Sequence, residues 1–116
     1  PLNPGLLSRD PGVGEAYVAD PLVSRKISAR WFTEVLAAHA DTQSRAAELR
    51  IPALVMQSGD DRLVDPAITK AWAAAAPADL VEFVEWDGLY HEMFNEPEKE
   101  MVFERVEAWL QERLAE

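Results

Sequence analysis

The spacing of apolar side chains predicts helices in the middle of the chain. Apolar residues recur at every third or fourth position between Ile27 and Leu36, which is the pattern of a helix with one buried face. We therefore expect a helix at about residues 28–40 that ends near Asp41. A second, shorter helical piece is predicted at about residues 43–49.

Two later segments have the pattern of β-strands. Residues 53–57 are a nearly continuous apolar run, which is typical of a parallel strand buried on both faces. Apolar and acidic side chains alternate over residues 80–86, as in a strand that is partly open to solvent. A helix is predicted between the strands, from Pro66 to about Ala75. Its start is marked by Asp65, because aspartate can cap the free amides of a helix that begins with proline.

The order of these elements predicts an α/β fold. A last helix is expected to open at Pro97, so helices and strands alternate, as in a parallel sheet with crossover connections. Residues 1–25 are rich in proline and glycine and are predicted to be irregular, with one short turn at Glu15–Ala19. Two strands do not make a buried parallel sheet, and residues 1–50 offer no further strand. The sheet is therefore expected to need strands from elsewhere.

Composition and charge exclude several classes of partner. The 116 residues are 48% hydrophobic and 28% charged, which is typical of a globular domain. The net charge of −10 lies in residues 51–116, which carry five basic and fifteen acidic side chains, so nucleic acid is excluded as a partner. No apolar run approaches the roughly 20 residues that span a bilayer. The absence of cysteine fits a cytoplasmic protein.

Candidate chemistry lies in the loops that follow the two predicted strands. Residues 58–65 contain Asp60 and Asp61, and residues 88–95 contain His91. Open α/β sheets place their active sites at this end of the strands. If the strands are neighbours, an acid and an imidazole lie side by side. An acid behind a histidine fixes its tautomer and stabilises the imidazolium that forms when it accepts a proton.

The same residues also occur in metal sites and in structural loops. Arg62 and Val64 stand where a calcium loop needs oxygen ligands. The segment that begins at His91 has Asn95 where a zinc-protease HExxH motif has its second histidine, so no metal site is expected. Taken alone, His91 is equally consistent with a loop histidine that is hydrogen-bonded to the backbone. His39, in a predicted helix beside apolar neighbours, is expected to be structural.

Five segments carry a family resemblance. They are Leu7-Ser8-Arg9-Asp10-Pro11, Asp20-Pro21-Leu22-Val23, Asp61-Arg62-Leu63-Val64-Asp65, Gly88-Leu89-Tyr90-His91 and Asn95-Glu96-Pro97. Together they resemble the monoacylglycerol lipase-like serine hydrolases of the α/β-hydrolase fold. In this fold the triad follows the chain order serine, acid, histidine. The spacing of 30 positions from Asp61 to His91 also agrees with that family.

The resemblance implies an activity and its residues. It implies a carboxylic ester hydrolase that releases a fatty acid through a Ser-Asp-His triad and needs no cofactor. By resemblance, Asp61 is the triad acid and His91 the triad base. Leu63 and Val64 are expected to form part of the apolar wall of the acyl channel, with an ordinary core position as the alternative. A lysophospholipase and a non-catalytic acidic interaction module are the alternative functions.

The resemblance also implies a division of the protein. Residues 1–25 resemble the end of the cap region and its return to the core, and residues 26–116 the C-terminal part of the hydrolase core. The chain contains no Gly-x-Ser-x-Gly nucleophile elbow. The serine and the oxyanion hole are therefore expected in an N-terminal half, and this chain alone is expected to be inactive. The other expected partners are a neutral lipid or small ester as substrate and, through the missing part of the cap, a membrane surface.

Overall fold

The computed structural model describes residues 2–115 and centres on a pair of parallel strands. Strand β1 (Ala53–Ser58) pairs with strand β2 (Val81–Trp86), and Ser58 lies opposite Trp86 at the carboxyl end of the pair. Both strands lie where the sequence predicts them. Because the strands are parallel and adjacent, the loops that follow them leave from the same edge of the sheet.

Helices precede, connect and follow the strands. Within residues 2–115 they are α1 (Pro11–Ala19), α2 (Ala29–Ser44), α3 (Pro66–Ala75) and α4 (Lys99–Leu114), with 3-10 turns at Pro4–Leu6, Ala46–Glu48 and Met93–Asn95. The side chains of Asp10, Ser28 and Asp65 begin α1, α2 and α3, because each accepts a hydrogen bond from a backbone N–H in the first helical turn. None of these helices is both long and apolar enough to cross a membrane.

The prediction of an irregular segment over residues 1–25 is wrong for α1. Asp10 caps this helix and a proline fills its first position, where a missing N–H costs no hydrogen bond. Gly14 then allows α1 to approach the preceding turn closely, because a Cβ at this position would lie 3.1 Å from the carbonyl oxygen of Pro4. The glycine that reads as a helix breaker therefore serves a close contact.

The predicted bounds of two other helices are also corrected. Helix α2 does not end near Asp41 but continues to Ser44. Asp41 stays helical and its carboxylate pairs with Arg45 one turn later, at 3.1 Å. The predicted helical piece that follows is reduced to a 3-10 turn, and α4 begins at Lys99, two residues after the proline that precedes it.

Helices α3 and α4 cover opposite faces of the strand pair. Glu82 and Glu85 are three positions apart on β2 and so point to opposite faces. Lys70 of α3 pairs with Glu85 at 2.8 Å, whereas Arg105 of α4 pairs with Glu82. Val102 of α4 is completely buried. The strands therefore form a middle layer, as predicted for an α/β fold.

The core of residues 2–115 leaves apolar surface uncovered. Trp31, Phe32 and Leu36 of α2 are each about half exposed. The radius of gyration is 16.1 Å, against about 13 Å expected for a compact domain of this size. This open arrangement is in keeping with the expectation that the strand pair is part of a larger sheet.

Candidate active site

The loops after β1 and β2 are tied together through their backbones. The N–H of Gly59 donates to the carbonyl of Trp86 at 2.8 Å, and the N–H of Asp60 donates to the carbonyl of Leu89 at 3.1 Å. A Cβ on Gly59 would lie only 3.2 Å from the Trp86 oxygen, so glycine allows this approach. Gly88 has a φ of 78°, a left-handed conformation that glycine adopts readily. The two loops therefore form one unit.

This unit brings Asp61 and His91 into direct contact. Nδ1 of His91 lies 2.8 Å from Oδ2 of Asp61. The carboxylate side chain is 4% exposed, whereas the imidazole side chain is 36% exposed. The acid is thus shielded behind the histidine, and the second ring nitrogen, Nε2, points away from it. This is the arrangement that a histidine base needs to accept a proton from a third group.

Asp61 is also held by the backbone of its own loop. Its Oδ1 accepts hydrogen bonds from the N–H of Leu63 at 2.8 Å and the N–H of Val64 at 3.0 Å. Burial raises the pKa of Asp61, but the hydrogen bonds from His91 and from these two N–H groups together lower it by more. The pKa of Asp61 therefore lies below its usual range. The carboxylate stays ionised at neutral pH and can stabilise an imidazolium.

Leu63 and Val64 thus contact the site through their backbones. The sequence predicts that their side chains form part of an apolar wall for the substrate, and this stays a prediction. The Val64 side chain lines an apolar groove of about 380 Å³ between α2 and α3, together with Ile68 and Trp72. The backbone contacts have a signal in the sequence, because aspartate commonly accepts hydrogen bonds from N–H groups two and three residues later.

The remaining candidate residues have other positions. Asp65 caps α3 by accepting a hydrogen bond from the N–H of Ala67 at 3.0 Å, as predicted. Asp60 is exposed next to the acid. His39 does not lie in a core but on the exposed surface of α2, where it lines the groove beside α3. Within residues 2–115, no three His, Asp or Glu side chains are grouped so that they could hold a metal ion.

One contact next to the site has no local signal in the sequence. The carboxylate of Glu96, five residues after His91, is buried and pairs with Arg9. These two residues are 87 positions apart. Both belong to segments that carry the family resemblance, but neither periodicity nor a turn pattern indicates that they meet.

The lowered pKa of Asp61 predicts an acid-sensitive stability. A carboxyl group whose pKa is lower in the folded than in the unfolded state stabilises the fold above its unfolded pKa, about 4. This contribution is lost as the pH falls through the folded pKa. At pH values below about 4, we expect the free energy of unfolding of the full-length protein to decrease as the pH is lowered. We expect this decrease to be less steep in the Asp61→Asn variant.

Urea unfolding between neutral and acidic pH measures this difference. The Asp60→Asn variant, which removes the exposed carboxylate next in sequence, is the matched control. Parallel pH profiles for the two variants would contradict a stabilising Asp61 carboxylate.

Comparison with known protein families covers most of the chain. Residues 1–98 match the family model Hydrolase_4, described as serine aminopeptidase, S33. The chain belongs to the Hydrolase_4 family. This membership confirms the resemblance to α/β-hydrolases that the five segments carry.

Two curated proteins align with most of the chain. This Hydrolase_4 chain is 41% identical over 112 residues to phospholipase YtpA of Bacillus subtilis (strain 168), an alignment that covers 93% of this chain and 42% of YtpA. It is 36% identical over 110 residues to the monoacylglycerol lipase of Mycolicibacterium smegmatis (strain ATCC 700084 / mc(2)155), covering 94% of this chain and 39% of that lipase. The chain therefore spans about two fifths of the length of these curated relatives.

The fold agrees with that of a solved lipase. The crystal structure of Paleococcus ferrophilus monoacylglycerol lipase superposes with a TM-score of 0.89 at 28% identity, over 94% of this chain and 43% of that one. The predicted fold class is thereby confirmed. This Hydrolase_4 chain is the C-terminal part of an α/β-hydrolase fold, with two parallel strands and flanking helices.

Proposed function

We propose that the full-length protein is a carboxylic ester hydrolase of the monoacylglycerol lipase type, in which this chain supplies the acid Asp61 and the base His91. The observation that supports the proposal most is the 2.8 Å contact between His91 Nδ1 and the buried Asp61 carboxylate. It lies beyond the carboxyl ends of two adjacent parallel strands, where open α/β sheets carry their active sites.

The nucleophile comes from outside these 116 residues. None of the serines in the chain has the glycines of a Gly-x-Ser-x-Gly elbow around it. We therefore assign the serine and the oxyanion-hole donors to an N-terminal half. We further propose that the cap makes a peripheral membrane contact and that the protein is cytoplasmic.

The reaction follows from the positions of the two side chains. As the serine hydroxyl attacks the ester carbonyl, Nε2 of His91 takes its proton, and Asp61 stabilises the imidazolium that results. The imidazolium then gives this proton to the leaving alcohol oxygen, which leaves an acyl-enzyme. Water then attacks the acyl-enzyme carbonyl while His91 takes its proton, and the imidazolium returns this proton to the serine oxygen, which restores the free serine and releases the fatty acid. No step needs a cofactor.

The charges around the site support an uncharged substrate head group. Arg62 is the one cationic side chain in the two loop sequences, 58–65 and 87–95, which also contain four carboxylates, Asp60, Asp65, Asp87 and Glu92, in addition to Asp61. Such an excess of negative charge disfavours an anionic ligand. The names of the lipase relative and of the lipase structure agree with a monoacylglycerol.

A phospholipid ester is the second candidate substrate. It is favoured by the 41% identity to a protein named phospholipase. A lysophospholipid would place its phosphate near the same loops, where Arg62 is the cation that could accept it. The two candidates differ in head group and share the triad chemistry.

The proposal is tested by labelling and by a substrate panel. We expect a fluorophosphonate probe to label the full-length protein. We also expect kcat/KM to be higher for a monoacylglycerol than for a lysophospholipid of the same acyl chain. An aminoacyl amide should not be hydrolysed. Treatment with EDTA should leave hydrolysis unchanged.

The outcomes separate the candidate functions. A higher kcat/KM for the lysophospholipid would show that the substrate is a phospholipid ester, and the assignment of the triad would be unchanged. The absence of both labelling and ester hydrolysis would refute the triad and favour the non-catalytic acidic interaction module.

A further inference from the structure

A buried ion pair lies beside the loop that carries His91. Glu96 is the largest completely buried side chain among the described residues. Its Oε1 accepts a hydrogen bond from the N–H of Arg9 at 2.8 Å, and its Oε2 pairs with Nε of Arg9 at 2.5 Å. Arg9 also pairs with Glu98 at the surface. Burying a carboxylate costs free energy that an apolar side chain would not, so such a pair is weak support for stability alone.

Two further hydrogen bonds join the same segments. The carbonyl of Leu7 accepts from the N–H of Glu92 at 2.8 Å. The hydroxyl of Ser8, itself buried, donates to the carbonyl of Asn95 at 3.0 Å. The first of these bonds falls on the residue that directly follows His91. Residues 7–9 therefore fix the chain on the C-terminal side of the histidine.

The N-terminal side of the histidine is fixed by a different element. There, the β1 loop holds the β2 loop through the bonds that Gly59 and Asp60 donate to Trp86 and Leu89. His91 thus lies between two anchors, one from the acid loop and one from residues 7–9. Residues 7–9 also lead into α1. Side chains of α1 and of the chain just after His91 line a small cavity of about 290 Å³.

We propose that Arg9 and Glu96 are positioning residues that hold His91 in line with Asp61, so that the segment leading into α1 sets the orientation of the imidazole. The role of His91 in ester hydrolysis rests on the proposed function, whereas the positioning of the imidazole does not. Loss of the pair leaves Asp61 and its backbone bonds in place and loosens only the chain after His91.

The kinetic test uses the full-length protein and a matched arginine. Arg45 also pairs with two carboxylates, Asp41 at 3.1 Å and Glu48 at 2.8 Å, but on the exposed surface just after the C-terminal end of α2. We expect Arg9→Ala and Glu96→Gln to lower kcat by about 10- to 100-fold with KM within about twofold, since a displacement of about 1 Å costs up to about 100-fold. Arg45→Ala should keep the wild-type kcat, and Arg9→Lys should recover part of the loss.

A spectroscopic readout is independent of catalysis. The Nδ1 proton of His91 is shared with a buried carboxylate, and its NMR resonance reports how firmly the imidazole is held. We expect this resonance to be sharp in the wild type and in Arg45→Ala, and to be broadened or lost by exchange with water in Arg9→Ala and Glu96→Gln. If the wild type hydrolyses no ester, the proposed function fails and this resonance still decides the positioning role.

The inference is overturned if Arg9→Ala matches Arg45→Ala in both kcat and the His91 resonance. If Arg9→Ala does not fold, as judged by circular dichroism, Glu96→Gln decides, because it keeps the side-chain volume and one acceptor oxygen. A folded Glu96→Gln variant with wild-type kcat and a sharp His91 resonance refutes the proposal. A lowered kcat or a broadened His91 resonance in this variant supports it.

Discussion

Replacement of His91 by alanine in the full-length protein is expected to lower kcat for ester hydrolysis by about 10⁶-fold. The imidazole lies 2.8 Å from the Asp61 carboxylate that is proposed to assist it. Without it, no base takes the serine proton and no acid protonates the leaving alcohol. The kcat for a monoacylglycerol and the rate of fluorophosphonate labelling measure the loss.

The other histidine of the chain provides the control. His39 lies on the exposed surface of α2, so His39→Ala should keep the wild-type kcat. A His91→Ala variant that retains turnover within about tenfold of wild type would remove His91 from the mechanism.

The Asp61→Asn variant is expected to lower kcat by about 10⁴-fold with little change in KM. An amide at this position can donate its N–H to Nδ1 of His91, which would place the imidazole proton on Nε2. Nε2 then cannot accept the serine proton, and no negative charge faces the imidazolium. The hydrogen bonds from Leu63 and Val64 to the remaining carbonyl oxygen can persist, so the fold is retained.

Steady-state kinetics of two aspartate variants measure this effect. Asp60→Asn changes the neighbouring exposed side chain and should keep a kcat close to wild type. Equal losses in Asp60→Asn and Asp61→Asn would show that the loop charge as a whole, rather than the acid behind the histidine, supports turnover.

The elements of the sheet region could be predicted because their signals are local. The apolar run of β1 and the Asp65-Pro66 start of α3 each decide the structure within a few residues. The same start pattern occurs at Asp10-Pro11, where it opens α1, and at Asp20-Pro21, where no helix follows. In a segment this rich in proline and glycine, the Asp-Pro pattern alone does not show which of the two begins a helix.

The contact between Asp61 and His91 was predictable for a geometric reason. Parallel neighbouring strands end at one edge, so residues just beyond them meet. The backbone bonds that orient the acid follow a general tendency of aspartate in loops, but that tendency does not distinguish Asp61 from the neighbouring Asp60. The pairing of Arg9 with Glu96 spans 87 positions and depends on how the N-terminal segment crosses the fold.

The backbone bonds between the β1 and β2 loops have a consequence for folding. They form only after a crossover through α3 has brought two strands into parallel register. Parallel pairing is a non-local step that forms slowly, because the entropy of closing the loop is lost before contacts compensate for it. Asp61 and His91 therefore meet late, and in a chain that is collapsed but not yet paired the proposed acid and base are not in contact.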